Sequence, residues 1–174
     1  PLAYARPVVQ RSHPQSRTLR LTTAQAVAKF LTRQMTRVDG KKVPIFSGGW
    51  AIFGHGNVAG IGEALYGVRK ELPTYRAHNE QGMAHAAIAF AKASRRRRMM
   101  AVTSSIGPGA LNMVTAAAVP HVNRVPVPIL PGDVLANRLP DPVLQQIHNF
   151  AAGPLTVTAC LQPVATSFHH SSPP

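Results

Sequence analysis

The chain has 174 residues, 45% of them hydrophobic and 6% aromatic, with a formal net charge of +13 from 19 Lys+Arg against 6 Asp+Glu. That length suggests one domain with enough apolar content for a core. The single cysteine, Cys160, excludes an internal disulfide framework and argues against a cysteine-based metal site. No apolar run approaches the roughly 18 residues of a membrane span, so a reducing, cytoplasmic setting is the expectation.

Residues 1–17 hold Arg6, Arg11 and Arg17 among prolines, lack an acid, and read as a disordered basic tail without a secretory signal's apolar segment. Thr22 or Thr23 is placed to cap a helix. Its apolar positions Ala26, Val27, Phe30, Leu31, Met35 and Val38 recur at helical spacing until Gly40 stops the pattern. Val43 to Phe46 is predicted as a short buried strand bounded by Gly48-Gly49. Trp50 to Phe53 is a second apolar stretch running into a glycine-rich turn, Gly54-His55-Gly56-Asn57, and Val58 to Lys70 reads as helix. Thr74 to Arg76 is a short strand. Glu80 to Ala93 is a helix apolar almost all round, as a buried helix must be.

Arg95 to Arg98 form a basic turn before a strand over Met99 to Thr103. Gly107-Pro108-Gly109 opens a helix through about Ala118, and Val127 to Leu130 is the next strand. A short helix over Leu144 to Phe150, a strand over Leu155 to Thr158 and a Ser/His/Pro tail over 167–174 complete the reading. Strands alternating with helices imply an α/β fold, a parallel sheet covered by helices on both faces.

Gly54, Gly56 and Gly60 would let backbone N–H groups approach a phosphate at a helix start. A dinucleotide site also wants an acid at the end of the following strand, and Arg76-Ala77-His78 stands there instead. A tight structural turn or another ligand loop is therefore favoured. The arginine run has no interleaved aromatic residue for base stacking. A solvated turn is the expectation there and nucleic acid is not the expected partner, with a basic nucleic-acid-binding module carried by Arg95 to Arg98 as the alternative reading. His13, His55, His78, His85, His121, His148, His169 and His170 include no pair with metal-ligand spacing and a matching acid. Glu80 stands where a strand turns into the apolar helix, a place where the helix N-terminus favours a carboxylate.

The neighbours of Glu80 add a second reading. Tyr75-Arg76-Ala77-His78-Asn79-Glu80-Gln81-Gly82-Met83-Ala84-His85-Ala86-Ala87 resembles a recurrent block of thiamine-diphosphate enzymes, in which a strand delivers a glutamate to a buried Ala-rich helix. Ser104-Ser105-Ile106-Gly107-Pro108-Gly109-Ala110-Leu111-Asn112 resembles their second block, and Val125-Pro126-Val127 to Gly132-Asp133 the strand after it. More narrowly, Trp50 to Gly60 and Asp141-Pro142-Val143-Leu144-Gln145-Gln146 are similar to the trihydroxycyclohexanedione hydrolases of myo-inositol breakdown. The resemblance covers roughly residues 18–166.

It implies a pyrimidine-binding domain of such an enzyme, which opens a cyclic 1,2-diketone by C–C hydrolysis with thiamine diphosphate. Glu80 would be the catalytic carboxylate, hydrogen-bonding the aminopyrimidine in a poorly solvated site. The loop Gly54, His55, Gly56 and Asn57 would face cofactor or substrate. The resemblance also implies a second domain, with a Gly-Asp-Gly segment and a downstream Asn that hold magnesium and the diphosphate. Neither stands in this sequence; Gly132-Asp133 is followed by Val134. The chain is accordingly expected to be a truncated, inactive copy, or else a subunit completed by a homo-oligomeric or separately encoded pyrophosphate-binding partner. Pro120 and Pro128 are expected to disturb a helix and a buried strand.

Overall fold

The structure, a computed structural model, describes residues 18–133, 144, 145, 147 and 157–169. Helix α1 (Thr23–Arg33) opens on a capping box. The Gln25 N–H donates to Thr22 Oγ1 at 3.2 Å, and the Thr22 N–H donates to Gln25 Oε1 at 3.1 Å. The helix was expected to continue to Val38, but the chain leaves it at Arg33. Met35–Val38 (β1) and Lys41–Pro44 (β2) then pair as an antiparallel hairpin. Asp39 and Gly40 take φ of 49° and 77°, the paired left-handed conformation that an Asp-Gly hairpin turn requires. Gly40 therefore reverses the chain instead of capping a helix.

Strand β3 (Phe46–Ile52) is continuous through Gly48-Gly49, which were expected to bound a strand, and it unites Phe46 with Trp50 to Ile52. The glycine at 48 answers a close approach: a β-carbon there would come 2.8 Å from both the Pro73 carbonyl oxygen and the Tyr75 ring. After β3 the chain is helical at once, as α2 (Gly54–Asn57), a π-helical turn (Val58–Gly62) and α3 (Glu63–Gly67). The expected glycine turn is thus the first turn of a helix. Strand β4 (Thr74–Tyr75) leads to α4 (Glu80–Ala93), and β5 (Met99–Ser104) to α5 (Pro108–Leu111), α6 (Val114–Asn123) and β6 (Ile129–Pro131). The one helix expected from Gly107 onward is broken at Asn112-Met113.

These strands form a parallel sheet in the order β4-β3-β5-β6. Alternate residues of β5 serve opposite faces. Ala101 joins Ala28 and Leu31 of α1, Ile61, and Ala64 and Leu65 of α3. Met100 and Val102 join Met83, Ala84 and Ala87 of α4 with Met113 and Ala116. The expected α/β architecture, helices on both faces of a parallel sheet, is what the chain adopts.

The prolines fit without breaking these elements. Pro120 lies within α6, which continues to Asn123 before Arg124 turns left-handed. Pro128 precedes β6 and still accepts the Val102 N–H through its carbonyl at 2.9 Å. Strand β6 lies at the sheet edge, where a missing donor is tolerated. The basic turn is more tied down than expected. Arg96 donates to the Asn123 carbonyl (3.2 Å), Arg97 to Asp39 (3.1 Å) and Arg98 to the Pro44 carbonyl (3.1 Å).

Leu144 and Gln145 lie in a turn where a helix was expected. Thr158, expected to end a strand, lies in a 3-10 helix, Val157–Val164, and hydrogen-bonds the Asp133 carboxylate. Residues 1–17, 134–143, 146, 148–156 and 170–174 lie outside the described residues, and with them the rest of the expected 144–150 helix and 155–158 strand and most of both tails.

Candidate functional site

The connections out of β3 and β5 run to opposite sides of the sheet, toward β4 and toward β6. In an open parallel sheet such a switch point leaves a crevice beyond the carboxyl ends of the two strands. A cleft of about 650 Å³ lies there, lined at the end of β3 by Ile52 and Gly54 and beyond the end of β5 by Ser105, Pro108 and Gly109. Leu111, Asn112, Gln145 and Ile147 complete its wall, and Glu80 enters from the start of α4.

Local chemistry explains why Glu80 starts that helix. Asn79 is the N-cap, its Oδ1 accepting the Gly82 N–H at 2.6 Å, so Glu80 is the first helical residue. Met83, Ala84 and Ala87 are buried one turn and two turns on, which fixes the helix against the sheet. Asn112 Nδ2 donates to Glu80 Oε2 at 2.8 Å, and Glu80 is half-buried in this chain. A β-carbon on Gly109 would lie 3.2 Å from Glu80 Oε1. The second block thus gives the carboxylate clearance on one oxygen and a donor on the other.

The four residues at the start of α2 divide. Gly54 (φ 53°) lines the cleft, and a β-carbon there would stand 2.5 Å from Ser105 Oγ. Asn57 turns to the sheet, donating to Thr103 Oγ1 (3.2 Å) and the Ser104 carbonyl (3.0 Å). Gly56 packs on Ile106, whose Cγ2 would lie 2.9 Å from an added β-carbon. His55 is exposed, and neither it, Gly56 nor Asn57 lines the cleft. Ser105, Leu111, Asn112, Gln145 and Ile147 received no site role from the sequence. Ser105 and Asn112 flank the Gly-Pro-Gly turn, and that position after a predicted strand was the available signal. Ser105 Oγ donates to Gln145 Oε1 at 3.1 Å, joining the floor of the cleft to its far wall. Among the described residues no three His, Cys, Asp or Glu side chains gather as a metal site, and no helix is long and apolar enough to cross a membrane.

The family described as thiamine pyrophosphate enzyme, N-terminal TPP binding domain, matches residues 54–173. The chain belongs to that family. Its domain is 58% identical over 132 residues to 3D-(3,5/4)-trihydroxycyclohexane-1,2-dione hydrolase of Geobacillus thermodenitrificans, covering 76% of this chain and 21% of that protein. A protein of the same name from Bacillus velezensis is 50% identical over 149 residues, 86% of this chain and 23% of the relative. A Bacillus cereus relative, 3D-(3,5/4)-trihydroxycyclohexane-1,2-dione hydrolase 1, is 56% identical over 131 residues, 75% of this chain and 20% of its own length. The chain therefore spans about a fifth of the length of these curated relatives.

Proposed function

We propose that this TPP-binding domain holds the aminopyrimidine of thiamine diphosphate in the cleft at the ends of β3 and β5, with Glu80 as its proton-holding residue. The observation that carries the reading is one half-buried carboxylate among the described residues of a cleft whose other described walls are largely apolar or amide. That donor set fits a flat heterocycle with one ring nitrogen to satisfy. It does not fit a magnesium-bound diphosphate, which wants several oxygen ligands. The diphosphate and its magnesium are assigned to a pyrophosphate-binding domain on a partner subunit.

When bound, thiamine diphosphate supplies a nucleophilic carbon that adds to a substrate carbonyl and accepts the electrons of the broken C–C bond. The residues of this chain prepare that chemistry. Glu80 would hold a proton for the ring nitrogen of the bound cofactor on Oε1, while Asn112 donates to Oε2. Ile52 and Leu111 would give a bound ring its apolar wall, and Gly54 lets the start of α2 lie close against Ser105. His55, Gly56 and Asn57 belong to the same helical turn; Asn57 ties it to the end of β5 and Gly56 packs it on Ile106. The whole reaction is C–C hydrolysis of a cyclic 1,2-diketone in myo-inositol catabolism, in the cytoplasm. The residues of this domain present one wall of the site.

Two measurements test this. Thiamine diphosphate with magnesium should produce no saturable thermal stabilisation of the chain alone; clear saturation would overturn the half-site reading. Co-expressed with a pyrophosphate-binding chain, it should support turnover that falls about 10²–10⁴-fold in Glu80→Gln, the usual scale for losing a general acid–base. Turnover indifferent to that substitution would remove Glu80 from the role.

A further inference from the structure

Resting on that reading of Glu80, we propose that Asn112 is a positioning residue, which fixes one carboxylate oxygen so that the other is presented to the cleft. The single turn α5 is built to do this. The Asn112 N–H donates to the Pro108 carbonyl at 2.9 Å, so the residue closes that turn. Met113, next in the chain, is fully buried, and it locks the register of the turn against α4 and β5. Asn112 itself is exposed and contributes nothing to the core. Its amide instead reaches across 32 residues of sequence to Glu80 Oε2, at 2.8 Å. That length is well within the range of a good N–H···O hydrogen bond.

Gly109 stands three residues earlier, on the same face of the turn. A β-carbon there would sit 3.2 Å from Oε1 and 3.5 Å from Ser105 Cβ. Glycine at 109 therefore keeps Oε1 clear at the point where asparagine at 112 ties Oε2. One turn treats the two oxygens of a single side chain differently, and only the freed oxygen is left for a cleft occupant. An aspartate at 112 would have nearly the same shape but no donor, and would set two carboxylates against each other.

The test uses the full chain and reads the geometry of Glu80 directly. Three-bond NMR couplings about Cα–Cβ and Cβ–Cγ of Glu80 should report one dominant rotamer in the wild-type chain. They should report averaging in Asn112→Leu and Asn112→Asp, with melting temperatures close to wild type because the side chain is exposed. Unchanged couplings in Asn112→Leu would overturn the proposal. Asn112→Ser, too short to reach Oε2, should behave as the leucine variant does, and couplings like wild type in it would also count against the role. In the co-expressed complex, Asn112→Leu should lower kcat about tenfold and leave the substrate KM unchanged. A Glu80→Gln complex with full turnover would remove the aminopyrimidine reading, while the rotamer couplings would still decide the role of Asn112.

Discussion

Gly54 and Ser105 approach so closely that a β-carbon on the glycine would stand 2.5 Å from the serine Oγ and 2.7 Å from its Cβ. Gly54 also has φ of 53°, a left-handed conformation that costs an L-residue roughly 1–2 kcal/mol. Overpacking adds about 1–3 kcal/mol. Gly54→Ala should therefore destabilise the chain by about 2–5 kcal/mol in urea unfolding, and disturb the Ser105–Gln145 hydrogen bond. A loss under about 0.5 kcal/mol would mean that α2 can leave β5 freely.

Helix α4 ends in a Schellman turn, with the Arg95 N–H on the Lys92 carbonyl (2.9 Å) and the Arg96 N–H on the Ala91 carbonyl (2.8 Å). Arg95 occupies the position where glycine is the usual residue, at φ 52°. Replacing it by glycine relieves the left-handed strain and gives part of that gain back as greater freedom of the unfolded chain. Arg95→Gly should stabilise by about 0.5–1 kcal/mol, read as a higher melting temperature.

The ion pair between Arg97 and Asp39 spans 3.1 Å, but the aspartate side chain is 83% exposed. Pairs this open are worth little, because water screens them and two side chains must be held still. Arg97→Ala should change stability by less than about 1 kcal/mol, and salt should shrink the difference further.

Met113 is fully buried between α4 and β5, and it precedes α6 immediately. Truncation leaves a cavity that neighbours fixed by two helices and a sheet cannot close. Met113→Ala should cost about 2–5 kcal/mol. It should also raise amide exchange through α6, which calorimetry with hydrogen exchange can follow together.

The strand–helix alternation from Thr74 to Leu130 was legible because each element there has its own clear signal. Glu80 to Ala93 is apolar almost all round, and its observed bounds match the prediction. The segment from Met35 to Ile52 was not legible in the same way. Met35 and Val38 happen to continue a helical spacing from Leu31, and a four-residue strand has too few positions to contradict it. Asp39-Gly40 was the local signal that the chain reverses. Gly48-Gly49 looked like punctuation because nothing local announces that Pro73 and Tyr75 will press on that backbone. Within the cleft, Glu80 and Gly54 could be picked out through the blocks they stand in, which resemble those of thiamine-diphosphate enzymes. Asn112 could not, since its partner is 32 residues away and the contact arises only once β5 has brought α5 beside α4.

The π turn at Val58–Gly62 sets the rotational phase of everything after it. Before it, Asn57 points to β5; after it, Ala64 and Leu65 point to α1. In an ordinary helix each residue advances the face by about 100°, so the wide turn absorbs an extra residue that would otherwise swing the later side chains off the core. A one-residue deletion there would leave every helix former in place yet set the two halves out of step. Either the apolar stripe would leave α1 or the glycine end would leave the cleft. This short stretch is therefore the place where the length of the chain, and not only its composition, is constrained.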